Sequence, residues 1–261
     1  MNLDRAVDRR TFMERQAELL GFPLTRLRAV EAGDITVADY RRLSRQWERP
    51  MTRNELAAFL SHRALWERAA GSTGGMVIME DDAVLSPRFI SVIERLPDGF
   101  DLINLETVGR RKFLGRKPAA SFDDFRLTPV VREKSGAGAY FLSPVGARKL
   151  LALAGTRVAP ADAFMFGVAR LKIAQIEPAL TMQVHLLAER GIDAGMVTQT
   201  SIHQPRQKLP LTLSNLPFHW RRSLTQVALL GVQVRRLIDA DFRAPAFNEH
   251  EFRSFLPIAM G

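Results

Sequence analysis

Glu80-Asp81-Asp82 sets three carboxylates directly after the apolar run Met76-Val77-Ile78-Met79. Three acids together repel one another, so an unpaired cluster is costly unless a cation or a basic partner sits among them. Hard oxygen donors on a short turn suit Mg2+ or Mn2+, which keep several waters and bind one or two carboxylates together with substrate phosphates. The apolar run reads as a buried strand, and open α/β sheets take their ligands outside the carboxyl ends of such strands. The competing reading is a solvated acidic turn.

Other chemistry-bearing residues are more scattered. Glu106 closes a predicted strand over Phe100 to Leu105, and Asp162 stands at a predicted helix start after Pro160. Either carboxylate is a candidate proton acceptor, although Asp162 also suits a simple helix cap. His62 shares a helix with Phe59 and Trp66, where a histidine among apolar neighbours is usually structural.

The elements that must position these groups are readable from pattern. A helical stretch containing Phe12, Leu19 and Leu20 ends at Gly21 and Pro23, and Leu27 to Val30 suggests a short strand. Thr52-Arg53-Asn54-Glu55 is a capping box that starts the helix carrying His62. Gly71 to Gly75 is a turn into the strand bearing the acids. The stretch from Arg110 to Phe125 has several basic residues and no clean period, so it reads as a basic loop. Ser135 to Gly138 feeds an apolar strand over Ala139 to Ser143. A helix is expected from Pro144 to Ala154 and a strand from Ile173 to Ile176. Strands alternating with helices indicate an α/β fold, here assigned to a domain over 1–204.

From Pro205 the texture changes. Trp220 to Arg243 reads as one basic amphipathic helix in a tail over 205–261, with Leu224, Val227, Val234, Leu237 and Ile238 on one face. Such a helix lies on an anionic membrane surface or packs on its own domain. The net charge of +9 over 261 residues points to a polyanionic partner. The absence of cysteine excludes disulfides and thiolate metal sites. No apolar run approaches the ~18 residues of a membrane span, and Asp4, Arg5, Asp8, Arg9 and Arg10 break any secretory leader at the N-terminus.

Four stretches together resemble glycosyltransferase family 25, the lipooligosaccharide galactosyltransferases and their collagen-modifying relatives. They are Asn2-Leu3-Asp4-Arg5 with Asp8-Arg9-Arg10; Met51 to His62 with Leu65-Trp66; Val77 to Ala83; and Gly138 to Ser143 with Gly146-Ala147, Leu150-Leu151 and Ala161-Asp162. Asn54 stands where the family commonly has glycine and Ala58 where it often has cysteine. The family pattern opens on an apolar strand before the Asn-Leu pair, so the first strand is expected to be truncated here.

The resemblance implies a GT-A-type nucleotide-sugar-binding mixed sheet flanked by helices. It also implies inverting transfer of a hexose, most often galactose, from a UDP-sugar to a lipid-linked or oligosaccharide acceptor, with Mn2+ or Mg2+. On this reading Asp82 is the direct metal ligand and Glu80 lies nearer the sugar, ribose or a bound water, with Asp81 facing elsewhere. Asp162 is the first candidate base, with Glu106 and His62 behind it. His185 or His203 supplies a further metal ligand, and Asn2, Arg5 and Tyr140 contact the nucleotide sugar, while Arg9 and Arg10 are expected to be solvated. The chain is placed in the cytoplasm, peripheral on the bacterial inner membrane. Two other classes compete: a metal-dependent nucleic-acid-binding protein or nuclease, disfavoured by the lack of a nucleic-acid module, and a non-catalytic family member.

Overall fold

The computed structural model describes residues 1–133, 135–196 and 209–260, with the side chains of 232, 233, 235 and 256–260 outside the description. The helices are α1 Val7–Leu20, α2 Val37–Leu43, α3 Arg53–Ala70, α4 Phe89–Ile93, α5 Pro144–Ala154, α6 Ala161–Ala163, α7 Val184–Ala188, α8 Leu216–Ala228, α9 Leu230–Asp239 and α10 Glu249–Met260. The strands are β1 Met76–Met79, β2 Ala83–Leu85, β3 Leu102–Asn104, β4 Lys112–Gly115, β5 Ala120–Phe122, β6 Phe125–Arg132, β7 Ala139–Leu142, β8 Ile173–Glu177, β9 Thr181–Gln183 and β10 Ala240–Arg243.

The main sheet runs β1-β7-β3-β8-β6-β4-β10, with β5 paired to β6, while β2 and β9 form a separate two-stranded ladder. Among the described residues β3 and β8 form the only parallel ladder; the other ladders are antiparallel. The architecture is therefore a mixed α/β sheet flanked by helices, as the sequence predicted. The strand before the acids differs in detail. β1 sits at the sheet edge with β7 as its one ladder partner, and only Ile78 in it is fully buried. Its apolar residues are explained by helices packed over an edge, not by burial within a parallel sheet.

Two apolar layers hold the sheet. On one side α3 and α5 pack Phe59, Trp66 and Leu150, with Phe164 after α6, against Tyr140 and Leu142. The rings of Trp66 and Phe164 stack at 5.4 Å. The second layer gathers Leu85, Phe89, Ile103, Leu127 and Ile176. The predicted capping box is formed at the start of α3: the Thr52 hydroxyl accepts from Glu55 N at 3.1 Å and the Glu55 carboxylate from Thr52 N at 2.9 Å.

Three local expectations fail. Leu27 to Val30 is no strand; it contributes an isolated bridge between Asn2 and Arg28. The basic loop predicted over 110–125 contains β4 and β5 and leads into β6. Its apolar residues Phe113 and Leu114 are few, and the pairing comes from distant β10 and β6, so no local period announces it. The single helix over Trp220 to Arg243 is broken at Leu229 into α8 and α9, and its last four residues extend the sheet as β10 beside β4. Among the described residues no helix is long and apolar enough to cross a membrane.

Candidate active site

The acids come from two strand ends and one helix start, gathered by one glycine turn. Glu80 and Asp82 leave β1, Glu106 follows β3, and the segment 135–138 runs into β7 between them. The Glu80 N–H donates to the Gly138 carbonyl at 2.7 Å, and the Gly138 N–H donates to Glu106 Oε2 at 2.9 Å. The Ala137 N–H donates to Asp162 Oδ1 at 3.1 Å. Three carboxylate-bearing elements are thus tied to two consecutive residues. Glycine is required at 138 because a Cβ there would fall 2.5 Å from Glu106 Oε1 and 2.7 Å from Gln183 Nε2. Gly136 adopts φ +110°, with Asn104 Nδ2 where a side chain would begin.

The three consecutive acids meet three different environments. Asp81 is held by Asn2 Nδ2 at 2.7 Å and Arg9 Nη1 at 2.9 Å. Glu80 Oε1 lies 3.5 Å from His62 Nε2. Burial alone would raise the Glu80 pKa, but the hydrogen bond and charge of His62, with Arg9 behind them, hold it below the ordinary carboxylate value. Asp82 is 6% exposed, and its Oδ1 is buried without a hydrogen-bond partner. Its Oδ2 reaches only to 3.9 Å from Arg9. Burial and then the Glu80 charge push its pKa up to about 7 against the weaker pull of Arg9. Glu106 is 1% exposed, and burial followed by repulsion from Glu80 raises it well above the usual range despite the Gly138 N–H.

A buried chain of hydrogen bonds stands behind Glu80. Trp66 Nε1–H donates to the Tyr140 hydroxyl at 2.9 Å, and that hydroxyl lies 2.9 Å from His62 Nδ1. Burial raises the Tyr140 pKa far above its ordinary value, so the phenol keeps its proton. With one lone pair occupied by Trp66, the hydroxyl meets His62 Nδ1 on its other side, and the Nε2 edge of the ring faces Glu80. A second polar strip underlies Glu106. Gln175 Nε2 donates to the carbonyls of Asn104 and Glu106, both at 3.2 Å, and Gln175 Oε1 accepts from buried Lys112 at 2.7 Å. Lys112 in turn is ion-paired with Glu133.

The geometry sorts the predicted site residues. Glu80, Asp82, Glu106 and Asp162 come together, and His62 joins them through Glu80. Tyr140 is fully buried and has no surface to offer a nucleotide. Asn2 spends its amide on Asp81, the Ala6 carbonyl and Arg26, so it organises the acidic turn from behind. Arg5 is exposed and paired with Glu31 at 2.8 Å. It lines a cavity of about 450 Å³ with Asp8, Arg9, Gly195 and Met196. His185 follows Val184, whose N–H donates to the Asp82 carbonyl at 3.0 Å, so α7 starts beside the acidic turn. Among the described residues no three His, Asp or Glu side chains stand together as a ready-made metal cage. His203 lies outside the described residues.

Arg9 was expected to be solvated, but it pairs with Asp81. Its place five residues after Asp4 in the opening motif gave no sign of that, because the partner is 72 residues away. Gln175 and Lys112 were missed as well. An amide inside the otherwise apolar Ile173–Ile176 run was the available signal, since a buried amide must find partners.

A mixed sheet flanked by helices, with acids converging at its strand ends, is consistent with an α/β glycosyltransferase fold. The model of Glycosyltransferase family 25 (LPS biosynthesis protein) matches residues 1–165, and the chain belongs to this family. It is also similar to a rat protein named "Probable inactive glycosyltransferase 25 family member 3", with 32% identity over 124 residues. That match covers 45% of this chain and 21% of the rat protein, so the chain spans about a fifth of that relative's length.

Proposed function

We propose that the chain is an inverting, GT-A-type glycosyltransferase that moves a hexose, galactose in the first instance, from a UDP-sugar to a lipopolysaccharide-type glycan. The observation that carries this reading is Asp82, an under-satisfied carboxylate at a strand end with Oδ1 buried and unpartnered, whose Oδ2 lies 3.9 Å from Arg9, a residue that lines a cavity with Arg5. Donor diphosphate is assigned to that cavity, where the two guanidiniums offset its charge.

A divalent cation of the Mg2+ or Mn2+ type is assigned to Asp82 as protein ligand, with Glu80 or His185 as a further donor. Such an ion, when bound, supplies Lewis-acid stabilisation of the departing UDP. Water and phosphate oxygens complete its shell, which is the usual arrangement for Mg2+.

Asp162 is assigned as the base that takes the acceptor hydroxyl's proton. It is half-buried and within reach of solvent, whereas Glu106 is sealed and favours its protonated form. Glu106 instead fixes the 136–138 turn. His62 acts through Glu80, holding that carboxylate ionised and oriented, and is a positioning residue. Within this reading the chain works at the cytoplasmic face of a bacterial inner membrane, where lipid-linked acceptors are made.

The test is UDP binding and UDP release across a panel of UDP-sugars with Mn2+ or EDTA, for wild type and Asp162→Asn. Wild type is expected to bind UDP and turn over one sugar, and Asp162→Asn to bind UDP equally while losing roughly a hundredfold or more in turnover. Folded wild-type protein that binds no UDP under any condition would refute the transferase reading. The relative's name favours one rival, a member that binds donor without transferring it; metal-dependent UDP binding with no turnover of any sugar would select it.

A further inference from the structure

The C-terminal helices are docked the wrong way round for a soluble domain. In α8 the residues Leu216, Trp220, Leu224 and Val227 recur at helical spacing as one stripe, and all four are exposed, Trp220 at 66%. In α9 Leu230, Val234, Leu237 and Ile238 form a second stripe, with Leu237 72% exposed. Leu211 and Leu213, just before α8, are more exposed still.

The contacts that hold these helices to the body are on the other side, and most of them are made by arginine. Arg221 Nη1 donates to the carbonyls of Arg45 at 2.8 Å and Trp47 at 3.2 Å. Phe218 is buried, with the Arg45 guanidinium 5.0 Å from its ring. Arg236 lies over Phe113 of β4 at 5.0 Å, and β10 pairs along that same strand. An amphipathic helix in a soluble protein turns its apolar stripe to the core; here nothing among the described residues covers either stripe.

We infer that the α8–α9 face is a docking surface for an anionic lipid bilayer, with the two stripes entering the interfacial region. Charge selects this occupant. From Leu209 to Ile238 the sequence has no aspartate or glutamate and four arginines, of which Arg221 and Arg236 reach back to the body and Arg222 is left to the open side. A second copy meeting the same face would bring like charges together, since a twofold interface apposes identical patches. An anionic headgroup layer complements it, as in interfacial helices with basic flanks, and Trp220 is the residue type enriched at that depth. Arg222 is exposed beside the α8 stripe and Arg45 stands at the anchoring contact. Because β10 and the Arg221 and Arg236 contacts fix the helices to the sheet, the bilayer would be met in a set orientation relative to the acids. This surface names the partner of the proposed transferase and rests on that reading for its purpose, while its test needs neither donor nor acceptor.

The test is co-sedimentation of the full chain with vesicles of phosphatidylglycerol and phosphatidylcholine in equal parts, against phosphatidylcholine alone. Binding to the anionic vesicles alone, weakened by salt, is expected. The pair Trp220→Ser with Leu237→Ser should reduce it by roughly tenfold or more, and Arg222→Glu by several-fold. Brominated lipid should quench a tryptophan emission component that Trp220→Phe lacks. These residues are at the surface, so thermal unfolding and UDP binding of the variants should match wild type, which separates loss of docking from loss of the site. Three results would overturn the inference: no vesicle binding by folded wild type, binding indifferent to both variants, or lipid-free dimerisation that the Trp220→Ser, Leu237→Ser pair abolishes.

Discussion

Glu177 and Asp82 are both buried carboxylates, and the protein treats them in opposite ways. Glu177, at the end of β8, accepts from Arg243 at 2.5 and 2.8 Å, from the Thr128 hydroxyl at 2.5 Å and from Ala246 N at 2.9 Å. Burial would raise its pKa, but the Arg243, Thr128 and Ala246 bonds overcome this and hold it down to about 2. Asp82 has one distant arginine and an empty-handed Oδ1, and its pKa goes up to about 7. A saturated carboxylate stabilises one fold, whereas an under-satisfied one costs stability and keeps capacity for something that arrives later. Glu177 ties β10 to β8; Asp82 keeps a buried oxygen without a partner.

The sharpest way to break this contrast is Asp82→Asn. If Asp82 serves the departing UDP, turnover should fall by about 10²–10³-fold, measured as UDP release. The folded protein should become more stable, not less. A raised carboxylate pKa means the native state binds its proton more tightly than the unfolded chain. Wild type therefore loses stability as pH rises from about 4 towards 7, and the asparagine variant should lose less of it. Urea midpoints at pH 5 and pH 8 measure the difference; equal pH slopes in the two proteins would show that Asp82 is not strained.

Arg243→Ala probes the opposite member. It should leave the buried Glu177 without its main partner and destabilise the fold by roughly 2–3 kcal/mol, the range for breaking a largely buried pair whose cation is partly solvated. The sign of the pH dependence reverses here. A depressed pKa contributes stability above the unfolded carboxylate value, lost as pH falls from about 4.5 towards 2, and Arg243→Ala should flatten that acid limb. Turnover at low temperature should stay close to wild type, since the acids at 80–82 are untouched.

A smaller effect is expected at the link between the two kinds of region. Tyr140→Phe removes the hydroxyl that joins Trp66 to His62, leaving a buried indole N–H unpaired at a cost of about 1–2 kcal/mol. If His62 orients Glu80, kcat should drop about tenfold with donor KM nearly unchanged, and the acid limb of the pH–rate profile should shift upward as Glu80 loses its donor. A stability loss with an unmoved pH profile would reduce the chain Trp66–Tyr140–His62 to packing.

Several pieces of this arrangement were legible in the residues. Met76–Met79, Ala139–Leu142 and Pro144–Ala154 appear at the predicted positions because apolar runs, glycine turns and a proline at N1 act locally. The capping box at Thr52 is likewise a four-residue device. Sequence pattern also put Glu80, Asp82, Glu106 and Asp162 on the ends of elements, where chemistry is usually found.

By itself the sequence determined those elements, the α/β class and the acids as the groups of interest, since each depends on neighbours a few residues apart. Only the tertiary structure decided which acids are satisfied. Arg9 and Asn2 engage Asp81 instead of Asp82, Tyr140 turns inward to His62, and Arg243 closes on Glu177 from 66 residues away. It also decided that β4 and β10 pair and that α8 and α9 turn their apolar stripes outward. The physical reason is common to all of these. A hydrogen bond or ion pair is specific to the group that meets it in space, and a hydrophobic period shows that a helix has a face without showing what that face will meet.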